Sequence, residues 1–222
     1  MDWQAARVSL LLAVCTAAVL LPLGVWLARW LATTPWRGRP VVEALLMLPL
    51  LLPPTVIGFY FLTTLGQGSP LGAWLAQTFH LRLVFSLEGL LLASLLVNLP
   101  FMVQPLQRAF AAIPGSLREA AWVCGLSRWR TFWKIELPLA WPGLLAGVAL
   151  TMAHTLGEFG VILMVGGSIP GETRTLSIAI YDRVQAFDMG AAHVMALALV
   201  VCSLVALVLV FAADRSRPLQ ER

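Results

Sequence analysis

Charged residues are scarce in this chain, at 12% of 222 residues, whereas 59% of the residues are hydrophobic. Soluble domains usually carry about a quarter charged residues, so this composition excludes an ordinary soluble globular protein. A chain with so little charge is typical of a protein that crosses a membrane several times. The nine tryptophans agree with this interpretation, because indole rings favour the membrane–water interface.

Residues that carry chemistry are also scarce. The three cysteines, Cys15, Cys124 and Cys202, lie too far apart for a metal or disulfide motif, and we interpret them as small apolar side chains. The three histidines are scattered without a nucleophile–base arrangement, which argues against a membrane enzyme. The phosphate-binding pattern Gly-x-x-x-x-Gly-Lys-Ser/Thr is absent from the sequence, so the chain is not expected to hydrolyse ATP itself.

Five apolar stretches are long enough to cross a bilayer as helices, which takes about 20 residues each. They are residues 8–28, 42–65, 87–110, 139–165 and 191–213. We expect the first to be a membrane span and not a cleaved leader, because no basic segment precedes it and no cleavage-like site follows it. The segment at 168–187 contains four charged residues and is not expected to cross, although a partial re-entrant dip stays open.

The positions of Lys and Arg predict the orientation of the chain. Three follow the first stretch, five follow the third and three lie in the C-terminal tail, whereas only four lie at the opposite ends of the stretches. The positive-inside rule places the richer side in the cytoplasm, with the N-terminus outside and the C-terminus inside. The net charge of +4 is then explained by cytoplasmic loops, and nucleic acid is not an expected partner. We predict an all-α fold, a transmembrane helical bundle that forms one domain over residues 1–222.

The connection at residues 111–138 carries the most information. Ser116 followed by Glu119 is a capping-box pattern, which predicts a short helix over residues 117–124. Gly125 then stands where a left-handed backbone conformation ends a helix. The sequence therefore predicts a short, sharply terminated helix at the cytoplasmic surface.

A second short helix is expected over residues 128–137, with Ser127 as its cap and Pro138 at its end. Helical spacing gives the first helix a small apolar face that permits close approach of another protein. The residues of this face are Leu117, Ala120, Ala121 and Cys124. The alternative is an amphipathic hairpin anchored among lipid headgroups by Trp122, Trp129 and Trp133, and the residues alone leave both interpretations open.

The connection resembles the signature of ABC importer permeases, E-A-A-x3-G-x9-I-x-L-P, at every fixed position. This resemblance implies the architecture of a type I ABC importer permease, in which the loop is a coupling helix that docks on a separate cytoplasmic ATPase. It assigns coupling to the signature residues Glu119, Ala120, Ala121, Gly125, Ile135, Leu137 and Pro138.

A second resemblance concerns the substrate. Residues 156–160 read L-G-E-F-G and residues 169–176 read I-P-G-E-T-R-T-L, and both are similar to segments of the molybdate permease family. The resemblance implies an inner-membrane homodimer that imports molybdate by alternating access. The implied partners are two ATP-binding subunits, which hold ATP and Mg, and a periplasmic or extracellular molybdate-binding protein; the chain itself is expected to bind no cofactor. Sulfate and tungstate permeases share parts of these motifs and stay as alternatives.

Gate or pore candidates cluster around an acidic residue near the outer end of the fourth stretch: they are Gly157, Glu158, Phe159, Gly160, Asn98 and Arg174. We expect the Glu158 carboxylate to pair with Arg174, a backbone donor or a second copy of the chain, because it would repel an anionic substrate. The alternative is a buried acid with no role beyond packing. The glycines predict tight helix packing. Asn98 is expected to line the path or to bond a carbonyl freed by proline, and Arg174 to meet the anion or to pair with Glu172 or Glu158.

A gradient-driven secondary transporter is the remaining rival. Such proteins contain paired repeats and broken helices around an ion site. The sequence shows no such pairing, so we expect an importer driven by a partner ATPase.

Overall fold

In the computed structural model, residues 2–215 are described, and they form twelve α-helices, one π-helical segment and no strand. The all-α prediction is therefore confirmed. The elements in chain order are α1 (Trp3–Thr33), α2 (Arg39–Leu51), α3 (Pro54–Leu65), α4 (Pro70–Phe79), α5 (Leu87–Ala111), α6 (Gly115–Val123), α7 (Arg128–Thr131), the π segment (Phe132–Glu136), α8 (Leu137–Leu139), α9 (Trp141–Gly157), α10 (Gly160–Gly166), α11 (Leu176–Gln185) and α12 (Met189–Arg215).

Two of the predicted spans are single helices, α1 and α5, and both are long and apolar enough to cross a membrane. Each begins at a side-chain cap. The Asp2 carboxylate accepts a hydrogen bond from the Ala5 amide at 3.0 Å, and the Ser86 hydroxyl accepts one from the Gly89 amide at 3.2 Å. These caps satisfy backbone donors that a helix leaves free at its first turn.

The second predicted span, residues 42–65, is not one helix. It breaks between α2 and α3, whose axes differ by 103°. Pro53 and Pro54 cause the break, because proline donates no backbone hydrogen bond and forces the preceding residue into an extended conformation. Leu52 is extended accordingly, with φ −79° and ψ 139°.

The fourth predicted span, residues 139–165, is interrupted twice, at Ala140 and at Glu158. The helical segment before Ala140 meets α9 at 67°, and the chain leaves helical geometry again at Glu158 before α10 begins. Hydropathy alone does not register such breaks, since the residues on both sides of them are apolar.

The last predicted span, residues 191–213, corresponds to α12, which contains an apolar stretch at Met189–Val205. Segment 168–187 contains the ten-residue α11, which is too short to cross, as predicted. The total of five spans stays a prediction, because the described helices supply two continuous candidates and two bent pairs. The tail arginines at 217 and 222 lie outside the described residues.

The bundle is centred on α1, α5 and α9. Met102 of α5 lies between Gly24 of α1 and Gly147 of α9, and a Cβ on Gly24 would lie 2.5 Å from the Met102 Cγ. Glycine therefore lets the three helices approach closely, as is common where helices pack inside a membrane. One apolar cluster around Phe110 fills the end of the bundle near residues 111–140, and a second around Val161 fills the opposite end.

Candidate coupling and gate sites

The first short helix of the 111–138 connection is α6, and it starts at Gly115 with Pro114 as its N-cap. The predicted capping box is wrong. Because the helix begins two residues before the predicted start, Ser116 lies inside its first turn, and no side chain caps its N-terminus. Pro114 sets this start, since its fixed φ, here −56°, with ψ at 135°, brings its carbonyl to the Leu117 amide.

The end of α6 is as predicted. Gly125 has φ +80°, a left-handed conformation that other residues adopt at a cost. The Gly125 amide bonds to the Trp122 carbonyl and the Leu126 amide bonds to the Ala121 carbonyl, both at 3.0 Å. These two bonds form a Schellman motif, which stops the helix sharply.

The exposed surface of α6 differs from the predicted apolar face. Ala121 is buried, with 5% of its surface exposed, so it does not belong to a docking surface. Glu119 and Ala120 are exposed, and Val123 is the most exposed apolar residue of the helix at 88%. Leu117, Ala120 and Cys124 of the predicted face are exposed, so the surface available to a partner keeps three of its four predicted residues and is apolar at its C-terminal end.

The second short helix is irregular. Ser127 caps it as predicted, accepting a hydrogen bond from the Arg130 amide at 3.3 Å. However, the regular helix predicted over residues 128–137 widens into the π segment, where the Leu137 amide bonds to the carbonyl five residues earlier. Pro138 explains the change, because a proline cannot donate to the carbonyl four residues before it and its ring crowds that carbonyl. Nor does Pro138 end the helical pattern, since α8 continues to Leu139.

The π segment places Glu136 in the interior, where its side chain is fully buried. Its carboxylate accepts hydrogen bonds from two arginines. Arg29 of α1 donates through Nε and through Nη2, the latter at 3.2 Å, and Arg118 of α6 donates through Nε at 3.2 Å. We call Arg29, Glu136 and Arg118 the buried triad.

Arg118 also connects the triad to the end of α5. Its Nη2 donates to the Phe110 carbonyl at 2.9 Å and its Nη1 donates to the Ile113 carbonyl at 3.3 Å. The first carbonyl belongs to the last turn of α5, and the second belongs to the connection that follows it. The short helix α6 is therefore joined to α1, to α5 and to the π segment through polar contacts of one side chain and its partner carboxylate.

Glu136 was missed in the sequence analysis, because the signature treats its position as variable. A signal was nevertheless present. Glu136 lies just before the fourth apolar stretch, and it is the one acid among residues 126–138, where the other three charges are basic. A lone carboxylate at such a position needs a cationic partner, since burying an unpaired charge costs several kcal/mol.

The gate candidates lie at the opposite end of the bundle, at the break between α9 and α10. A Cβ on Gly160 would lie 2.7 Å from the Pro54 Cβ, so the break between α9 and α10 lies directly against the break between α2 and α3. The predicted tight packing is confirmed at Gly160 and is wrong at Gly157, where a Cβ would meet open space. Two helix breaks are therefore in contact.

The Glu158 side chain caps the first turn of α10, the helix that follows this break. Its Oε1 accepts a hydrogen bond from the Val161 amide at 3.1 Å, which is the backbone donor anticipated as one of its possible partners. Its other oxygen lies 3.7 Å from Nε2 of His154, one helical turn earlier. The carboxylate is only 10% exposed, so the break holds an acid near the interior of the bundle.

A chain of buried polar groups continues from His154 into the bundle. His154 Nδ1 lies 3.1 Å from Oδ1 of Asn98, and Asn98 Nδ2 donates to the Ser94 carbonyl at 2.9 Å and to its hydroxyl at 3.2 Å. The Thr16 hydroxyl donates to the Ser94 hydroxyl at 2.9 Å. Asn98 therefore bonds Ser94, and not the carbonyl freed by Pro100, which belongs to Leu96. These polar contacts link α1, α5 and α9 to the break.

Arg174 does not pair with Glu158 or with Glu172. Its guanidinium lies 3.4 Å from the Asp2 carboxylate and 3.5 Å from the Asp182 carboxylate, and its Nε donates to the Ser168 hydroxyl at 3.2 Å. The predicted partners are wrong because α11 brings Asp182 close, while the N-cap of α1 presents Asp2. Arg174 thus joins the start of α1 to Ser168 and to α11.

The chain matches, over residues 20–217, the family described as binding-protein-dependent transport system inner membrane component. It belongs to this family and is an integral inner-membrane component of a transport system, not an enzyme. Within the family it is similar to the molybdenum transport system permease protein ModB of Azotobacter vinelandii, with 43% identity over 96% of this chain and 95% of that protein. This similarity confirms the molybdate permease resemblance of the sequence.

One further relative and one solved structure place these similarities in context. The sulfate transport system permease protein CysT of Escherichia coli is 34% identical over 82% of this chain and 65% of that protein. A chain of the bacterial alginate ABC transporter crystallised with its alginate-bound periplasmic protein superposes with a TM-score of 0.71, covering 96% of this chain and 76% of that chain at 21% identity. The structural match shows a common fold.

Proposed function

We propose that this chain is the permease subunit of an ATP-driven importer of molybdate. The similarity to ModB extends over nearly the full length of both chains, whereas the sulfate permease is less similar and is matched over 65% of its length. Sulfate and tungstate are tetrahedral oxyanions of the same charge and are the alternative substrates. A gradient-driven transporter is disfavoured by the family.

The proposed assembly contains two copies of this chain, two ATP-binding subunits and an external molybdate-binding protein. ATP and Mg are bound by the ATP-binding subunits. The N-terminus lies outside and the C-terminus in the cytoplasm. This orientation agrees with the positive-inside rule and with the grouping of Arg29 and Arg118 at the same end of the bundle.

The observation that carries the proposal is the connection of an exposed short helix to the bundle core through the buried triad. An ATPase that docks on α6, at Glu119 and Ala120, can move α6 as a rigid body. Arg118 and Glu136 then pass the displacement to α1 and α5, because a buried ion pair resists separation in a low-dielectric interior. Gly125 gives α6 the sharp end that keeps it rigid.

The proposed outer gate is the pair of abutting helix breaks at Pro54 and Gly160. At a helix break, two segments can rotate relative to one another without breaking backbone hydrogen bonds of a continuous helix. The polar chain from Thr16 to Glu158 joins the break to the helices that the triad moves. Arg174 holds the outer connection in place while the gate opens.

Reconstitution tests this function. The chain and its ATP-binding subunit are reconstituted in proteoliposomes, with the binding protein and labelled molybdate on the opposite side of the membrane from the ATP-binding subunit. We expect molybdate to accumulate on the side of the ATP-binding subunit when ATP is supplied on that side. A tenfold excess of sulfate should compete weakly if molybdate is the substrate. Uptake without ATP by this chain alone would contradict the importer, and equal competition by sulfate would reassign the substrate.

A further inference from the structure

A cavity of about 530 Å³ lies between the second half of α1 and the segment from Arg128 to Trp133. It shares Arg29 with the buried triad and contains none of the gate candidates. Two guanidinium groups line it, those of Arg29 and Arg128, and the residues that line it include no acid. Its remaining walls are apolar and aromatic, with Trp26, Trp129 and Trp133 among them.

The charge around this cavity is not balanced. Arg29 and Arg118 share the single carboxylate of Glu136, so the buried triad keeps one net positive charge. Arg29 is the arginine on the cavity side, and its side chain is 33% exposed. Arg128 adds a second positive charge and lies 5.7 Å from the Trp122 ring, without an acidic partner among the described residues. The cavity therefore attracts an anion.

The same cavity is built for an apolar occupant. The exposed fractions of Trp26, Trp129 and Trp133 are 66%, 68% and 52%. The rings of Trp129, Phe132 and Trp133 pack against one another with centroids 5.2 to 5.9 Å apart. Exposed indoles of this kind lie at the headgroup level of a bilayer, with their flat faces against the upper part of acyl chains.

We propose that this cavity binds one anionic phospholipid. The phosphate lies between Arg29 and Arg128, and the glycerol and first acyl carbons lie along Trp26 and Trp133. Basic pockets between helices at a membrane surface recognise anionic headgroups in this way. Because Arg29 belongs to α1 and Arg128 follows α6, the lipid contacts both α1 and the 111–138 connection. The cytoplasmic location of the lipid rests on the proposed orientation, whereas its binding does not.

The test compares two arginines on the same short helix. Arg128 lines the cavity, and Arg130 is exposed and does not. Three full-length proteins are compared: the wild type, Arg128→Gln and Arg130→Gln. Each is reconstituted into nanodiscs of phosphatidylcholine with phosphatidylglycerol and then released under mild conditions. Native mass spectrometry measures the mass of the protein with its retained lipid. We expect one retained phosphatidylglycerol per chain in the wild type and in Arg130→Gln. Retention should fall about fivefold in Arg128→Gln and return in Arg128→Lys, since one cation near the surface contributes roughly that factor.

Four results would overturn the proposal. Equal loss in Arg130→Gln would show a diffuse charge effect, and equal retention of phosphatidylcholine would show that charge is irrelevant. Displacement of the lipid by millimolar inorganic phosphate would indicate a site for the free anion. A change from dimer to monomer in Arg128→Gln, with lipid retention unchanged, would make the cavity a contact between copies of this chain. The measurement requires neither ATP nor molybdate, so its failure and a failure of the importer proposal are distinguishable.

Discussion

The two ends of the helical bundle both contain ion pairs, but the pairs differ in burial. At the end that carries the 111–138 connection, the Glu136 side chain is fully buried between two arginines. At the opposite end, Arg174 pairs with Asp2 and Asp182, and all three side chains are at least 22% exposed. A buried pair resists separation strongly, whereas exposed pairs contribute about 0 to 1 kcal/mol. We therefore expect the contacts of Glu136 to resist separation more strongly than those of Arg174.

The helices differ in the same sense. The coupling end is filled by the larger apolar cluster, which includes Phe110, and its short helix is stopped by a defined hydrogen-bonded motif at Gly125. The opposite end contains the break at Pro53 and the break at Glu158, which lie against each other. We take this difference to mean that motion enters the bundle through a rigid connection and is released where helices are already interrupted.

The largest effect is expected from removing the acid of the triad. Glu136→Ala leaves two guanidinium groups without their buried partner, which costs about 3–5 kcal/mol in the free energy of unfolding. The measurement is unfolding in mixed detergent micelles. Glu119→Ala is the matched control, because that acid is exposed and its removal should change stability by less than about 0.5 kcal/mol. Equal losses in the two variants would remove the distinction between the ends.

The next effect concerns the two glycines at the outer break. Gly160→Ala forces a methyl group into the Pro54 ring and should destabilise by about 1–3 kcal/mol, with slower molybdate uptake. Gly157→Ala adds the same methyl group in open space and should be nearly neutral. Uptake assays on both variants compare a packed position with an unpacked one. If the two alanine variants transport equally, contact between the breaks is not needed for the gate.

A smaller effect is expected at the end of α6. Gly125→Ala requires alanine to adopt a left-handed conformation at φ +80°, which costs roughly 1–2 kcal/mol. Fraying of α6 should raise the number of ATP molecules hydrolysed for each molybdate imported. Gly115→Ala, at a helical position with free space, serves as the control. An unchanged ATP-to-molybdate ratio in Gly125→Ala would show that a rigid end of α6 is not required.

The smallest effect is expected at Arg174. Arg174→Gln removes two partly exposed ion pairs and should lower stability by about 1 kcal/mol or less, and this loss should diminish at high salt. Arg118→Gln, which removes a 14% exposed arginine from the triad, should cost more and should depend less on salt. Unfolding at low and high salt compares the two variants directly. A larger, salt-independent loss at Arg174 would reverse the assignment of the rigid and loose ends.

The sequence predicted those features that depend on composition or on a single backbone requirement. Long apolar runs predicted α1 and α5, and the need for positive φ predicted the role of Gly125. Hydropathy did not locate the helix breaks, because it averages over prolines and over Glu158. The start of α6 was wrong, because Pro114 fixed the first turn before Ser116 was reached. Partners of buried charges could not be predicted, since they come from distant parts of the chain.

Glu136 illustrates this limit. Its two partners lie 107 and 18 residues away along the chain, so no local pattern identifies them. Arg174 shows the same difficulty, because its partner Asp2 is 172 residues away. The short helix α6 could be predicted from local signals, whereas its polar contacts with α1, α5 and the π segment required the folded chain.

The central claim is that α6 is a cytoplasmic lever for a separate ATPase, and native Cys124 tests it most directly. Cys124 is exposed at the end of α6. With Cys15 and Cys202 replaced by alanine, a membrane-impermeant maleimide should label Cys124 in inverted membrane vesicles and not in vesicles of native orientation. Addition of the ATP-binding subunit should protect it. Labelling from the outer face, or labelling that the ATP-binding subunit leaves unchanged, would contradict the account.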